Sequence, residues 1–144
     1  MLDLQTKLKL AERVHARQNL LAFTAYTKPD YAANWHHTEL ARKLDRVARG
    51  ECTRLMIFMP PQHGKSELVS RRFPAFMLGR NPELRLISAS HTADLAVSLN
   101  RDVQRIMTSE PYAKLFETGL QGSAAAPAGG QHAGQDGRQL VPVA

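Results

Sequence analysis

The sequence predicts an α/β domain, and three observations carry that expectation. Two short apolar stretches, "RLMIFM" at 54–59 and "LRLISAS" at 84–90, read as strands buried on both faces. A helical pattern of apolar residues lies between them, and the unit spans roughly 30 residues, the size of a parallel strand–helix–strand crossover. Gly64-Lys65-Ser66 follows the first stretch at the point where a strand would hand over to a helix.

Each element has its own warrant. Leu4, Leu8, Ala11 and Val14 recur at helical spacing among charged residues, which predicts a helix over 4–22. Pro29 and the small polar residues of 23–35 predict an irregular connection. Leu40, Leu44, Val47 and Ala48 share one face of a second helix over 37–49, and Gly50 stands where helices stop. After Gly64, helical spacing resumes with Leu68, Val69, Phe73, Phe76 and Met77, and Pro74 is expected to bend or end that helix. A turn at 81–83 precedes the second apolar stretch. Leu95, Leu99, Val103 and Ile106 form the best apolar stripe of the chain, over 92–107, with Thr92 as its N-cap. Ser109-Glu110-Pro111 opens a last short helix through Phe116.

Length and composition bound the rest. A chain of 144 residues accommodates one domain. Residues 1–116 form that domain; 117–144, rich in Gly, Ala and Gln and without an apolar period, are expected to be a disordered tail. The 19 Lys and Arg exceed the 13 Asp and Glu, and the surplus is compatible with a polyanionic partner. The single Cys52 excludes an internal disulfide framework and a cysteine-based zinc site, so a reducing, cytoplasmic setting is the default. No apolar run reaches the roughly 18 residues of a membrane span, and the charged N-terminus lacks a signal-peptide core. His36, His37, His63 and His91 match no metal-ligand spacing.

The loop after residue 59 carries the chemistry. In a phosphate-binding loop, successive N–H groups converge on phosphate oxygens at a helix N-terminus, a lysine reaches the outer phosphates, and a Ser or Thr hydroxyl meets Mg²⁺. Gly64, Lys65 and Ser66 have that order, although Met59 stands where the full pattern has its first glycine. Pro60 and Pro61 stiffen the early loop and donate nothing, which leaves the amides from Gln62 to Glu67 as donors. A proline-stiffened turn bearing a surface lysine is the competing reading.

"MPPQHGKSE", with "FTAYTKPDYAANWHH" before it and "FPAFMLGRNPELRLISASHTADLA" after it, resembles the large subunit of phage terminase, the ATP-driven DNA-packaging motor. The likeness covers roughly 20–116. It implies a partial P-loop NTPase of the additional-strand, RecA-like type with N-terminal helices, ending before the acidic Walker B strand. It implies ATP held by Gln62, His63, Gly64, Lys65, Ser66 and Glu67, Lys65 in the catalytic role, and Mg²⁺ on Ser66. Trp35 and His36 are its candidates for contact with the base; alternatively Trp35 is core and His36 caps its helix. Ser88, Ser90 and His91 would lie near a DNA-facing or coupling surface, or simply precede the Thr92 cap.

The resemblance also implies double-stranded DNA, the terminase small subunit and the portal as partners, in the host cytoplasm. The sequence departs from the family in three respects. Pro61, Gln62 and His63 occupy the stretch where members often carry an arginine, and Arg71 and Arg72 lie about two helical turns beyond it. No apolar strand ending in paired carboxylates follows, and the nuclease carboxylates are absent. The expectation is therefore a nucleotide-binding chain without appreciable turnover. The alternative is a non-catalytic prophage remnant or a regulatory DNA-binding fragment.

Overall fold

The computed structural model describes residues 3–116, and the expected tail at 117–144 lies outside them. The described chain is helical: α1 (Leu4–Gln18), α2 (Leu20–Thr27), α3 (Trp35–Ala48), a π-helical turn (Glu67–Arg72) running directly into α4 (Phe73–Arg80), α5 (Ala93–Met107) and α6 (Glu110–Leu115). Among the described residues there is no strand and no sheet, which overturns the α/β expectation and, with it, the additional-strand NTPase architecture.

The physical reason lies in what each kind of element requires. A helix satisfies its backbone groups within one segment, whereas a strand needs a neighbour. The stretches 54–59 and 84–90 keep a strand's alternation, with Ile57 and Met59 half-buried around an exposed Phe58, and Leu84 and Leu86 half-buried around an exposed Arg85. They do not pair with each other or with any other described segment.

The predicted helix over 4–22 is two helices. Asn19 adopts extended angles (φ −131°, ψ 125°) and its side chain accepts from the Ala22 amide at 3.0 Å, capping α2. Asp45 of α3 fixes this break: it accepts from the Leu20 amide at 2.9 Å and from Asn19 Nδ2 at 3.2 Å. Burial raises the Asp45 carboxyl above the usual range, while the Leu20 hydrogen bond and nearby Arg49 oppose that shift. The irregular connection consequently begins only after Thr27.

Pro74 does not end its helix. Helical backbone continues over 65–80, and the six residues before Phe73 wind as a π turn, with the Phe73 amide bonding the Leu68 carbonyl five residues back. α5 starts at its expected cap, where Thr92 Oγ1 accepts from the Leu95 amide at 3.4 Å. Its stripe is only partly covered: Val103 and Ile106 are buried, but Leu95 is exposed.

The interior is aromatic. Phe23 of α2 meets Phe76 of α4, Tyr112 of α6 and Phe116, with ring centroids at 5.4, 6.1 and 6.0 Å. Leu20, Leu68, Ala75 and Leu115 complete it, and Tyr112 donates its hydroxyl to the Ala75 carbonyl at 3.0 Å. Gly79 of α4 lies flat against the Phe116 ring, where a Cβ would come within 2.4 Å of a ring carbon. Loop and π turn thus start from a helix whose far end is anchored in the core.

Candidate functional site

The loop at 60–66 turns sharply. Gln62 and Gly64 both have left-handed φ angles, 63° and 74°. Gly64 is required twice over: a side chain would be strained at that φ, and its Cβ would lie 2.5 Å from His37 Nε2. The first helical bond runs from the Leu68 amide to the Gly64 carbonyl at 3.2 Å. Among the described residues, the amides of Gln62 to Glu67 donate to no protein acceptor. Gln62, Gly64, Lys65, Ser66 and Glu67 line a cavity of about 520 Å³, with Pro61 and Arg71 also on its wall.

The charges around this cavity are unevenly committed. Lys65 has no carboxylate partner among the described residues. Glu67 is fully engaged: Arg72 Nε donates to it at 2.8 Å, with Arg71 and Lys28 at 3.7 and 3.8 Å. The π turn explains the first contact, since its wider winding brings residues five apart into line. Arg72 is buried and also donates to Thr27 Oγ1 at 2.8 Å, tying the turn to α2. Arg71 Nε donates to Asp102 of α5 at 2.7 Å, and this bond holds the Asp102 carboxyl below its usual range.

A chain of rings at the start of α3 packs against the loop at His63. Asn34 and His37 form a reciprocal capping box at the start of α3; the Asn34 amide donates to His37 Nδ1 at 3.0 Å. An accepting Nδ1 places the proton of neutral His37 on Nε2, which faces the His63 carbonyl and His36 Nε2, both at 3.1 Å. His36 meets Trp35 edge-on and His63 at a tilt, at 5.7 and 5.9 Å between centroids. Loss of water, with His37 and His63 close by, lowers the His36 pKa below the ordinary value.

The structure therefore brings most of the sequence-predicted residues together: Gln62, His63, Gly64, Lys65, Ser66 and Glu67 on one loop, with His36 and Trp35 alongside. Trp35 is 78% exposed and is not core, and the helix cap belongs to Asn34 and His37 instead of His36. Ser88, Ser90 and His91 are exposed in the stretch before α5. Sequence reasoning missed His37 and Arg71. The Asn-x-x-His spacing at 34–37 was the available signal for the first; the second shows only in the fold, through its bond to Asp102 of α5.

The residues present fit a phosphate group, through unengaged amides and an unpaired lysine. For Mg²⁺ they offer the Ser66 hydroxyl, which makes no capping bond; the adjoining carboxylate, Glu67, is held by cations. Among the described residues no group of three or more His, Cys, Asp or Glu side chains could hold a metal ion, and no helix is long and apolar enough to cross a membrane. Comparisons with protein-family models, with curated proteins and with solved structures find no match to this chain.

Proposed function

We propose that the 60–67 turn binds a nucleoside triphosphate of the ATP type through its phosphates. One observation supports this above all. Six consecutive amides, Gln62 to Glu67, lack acceptors within the described protein, and the cation beside them, Lys65, lacks a carboxylate. Amides converging at the start of a helix favour an anion through both hydrogen bonds and the helix dipole. In this reading Lys65 neutralises the outer phosphates, and Trp35 and His36 flank the base. Bound Mg²⁺ would share the phosphates with the Ser66 hydroxyl and supply charge neutralisation.

The resemblance to the terminase large subunit gives this binding a setting: the nucleotide-binding segment of a motor that packages double-stranded DNA with a small subunit and a portal. That likeness rests on the motifs around the turn and not on a sheet. Hydrolysis needs a carboxylate free to orient water, and Glu67 is committed to three cations. We expect binding without turnover.

Calorimetric titration of the chain with ATP, with Lys65→Ala as comparison, tests the reading. Loss of a charge-assisted contact should weaken binding about tenfold or more. Absent binding, or equal binding by the variant, would overturn it, and Lys65-dependent phosphate release would show that the water-orienting group has been misjudged.

A second reading is favoured by α1, where Lys7, Lys9, Arg13 and Arg17 have no ion pair among the described residues. A helix so charged suits the backbone of DNA, as a regulatory binding fragment would need. Binding that falls steeply with salt and ignores nucleotide would favour this role.

A further inference from the structure

We propose that Arg71 is a second cation of the phosphate site and sets its ligand class, a di- or triphosphate chain in preference to a single phosphate. The inference rests on the phosphate reading of the loop and adds to it a residue that neither the motif nor the resemblance supplies. Arg71 lies on the wall of the same cavity as Gly64, Lys65 and Ser66.

What distinguishes Arg71 is how firmly it is held. Nε donates to Asp102 Oδ2 on α5 at 2.7 Å, and Nη1 lies 3.7 Å from Glu67 Oε2. Nη2 has no partner among the described residues. A guanidinium carries its five N–H donors in a rigid plane, so the Nε bond to Asp102 restricts the whole group while leaving donors on both terminal nitrogens. Asp102 is itself positioned, since Arg105 Nη1 donates to its other oxygen at 3.0 Å. Glu67 on the same wall would repel an anion, but the cations of Lys28, Arg71 and Arg72 surround it.

Lys65 is the opposite case, a flexible stem with no carboxylate partner among the described residues. Lys65 and Arg71 are six positions apart on continuous helical backbone, most of it the π turn. A lone phosphate on the loop amides meets Lys65, which is free to close on it. Arg71 cannot follow without releasing Asp102. An anion that extends along the cavity meets both cations and leaves the Arg71–Asp102 bond intact. Discrimination by chain length follows from one mobile charge at the loop and one anchored charge further along.

Calorimetric titration of the whole chain at fixed ionic strength with orthophosphate, pyrophosphate, tripolyphosphate, AMP and ATP tests this. Arg71→Gln should weaken tripolyphosphate and ATP by about tenfold, the scale of one charge-assisted hydrogen bond, and leave orthophosphate unchanged. Retained orthophosphate binding also shows that the variant folds. Arg71→Lys keeps a charge for Asp102 but has no second nitrogen to present, so it too should lose the preference for the longer chain. The proposal is overturned if wild type binds orthophosphate as tightly as tripolyphosphate. It is also overturned if both variants bind tripolyphosphate like wild type, or lose all anions equally. No Lys65-dependent binding of any anion would remove the underlying phosphate reading as well; Lys65-dependent binding without chain-length discrimination removes Arg71 alone.

Discussion

Phe23 and Phe58 are the same side chain in two different regions. Phe23 is completely buried among Phe76, Tyr112 and Phe116; Phe58 is 85% exposed on the stretch that leads into the loop. The interior is built by helices, each complete in its backbone bonds before it packs, so their apolar faces find one another. The loop face is built by segments with the period of strands and no strand beside them. Hydrophobicity alone therefore does not decide burial. A segment is buried when its backbone and its side chains can both be satisfied at once.

The comparison is broken most severely in the interior. Phe23→Ala should cost about 3–5 kcal/mol, the range for deleting a buried aromatic ring, a large share of the about 5–15 kcal/mol available to a domain. Urea denaturation at constant slope measures it. Gly64→Ala should cost less, about 1–3 kcal/mol, because the strain is local to one left-handed residue pressed against His37. It should abolish ATP binding while thermal melting stays cooperative.

A smaller effect comes from pH. His36 has a lowered pKa, so the unfolded chain binds its proton more readily than the folded one. Stability from this group is present above the ordinary histidine value of about 6.5 and is lost as pH falls through that value towards the folded one. The melting temperature should fall on acidification across this window, and His36→Gln should flatten that part of the profile. The carboxyls of Glu39, Glu51, Asp102 and Glu110 are lowered by their basic partners and act in the same direction, at more acid pH. Phe58→Ser should change stability least, within about 0.5 kcal/mol, and any larger loss in the urea curve would mean that the loop face is covered after all.

The helices were legible where a cap and a stripe coincide. Thr92 with Val103 and Ile106, and Gly50 after Leu44, mark α5 and α3 to within two residues. The break at Asn19 was not, because it depends on Asp45, distant in sequence and aimed at the Leu20 amide. The apolar stretches at 54–59 and 84–90 read as strands because their composition does; the partner a strand needs is not written in the strand itself. In the site, Gly64, Lys65 and Ser66 were visible from their order. His37 was overshadowed by its neighbour His36, and Arg71 was passed over on its spacing, about two helical turns from the loop, because its bond to Asp102 on α5 is not written locally.

That spacing has a genetic corollary. A π turn is an α-helix holding one residue more than its winding asks for. Between Glu67 and Arg72 the chain thus behaves as though it carried a single-codon insertion. Deleting one of these residues, such as Ser70, would restore regular winding and leave the segments on either side in nearly their present angular phase. Lys65 would keep the cavity and Phe76 its seat in the interior, and the change would fall on the link inside the turn, where Glu67 and Arg72 would stand four residues apart instead of five.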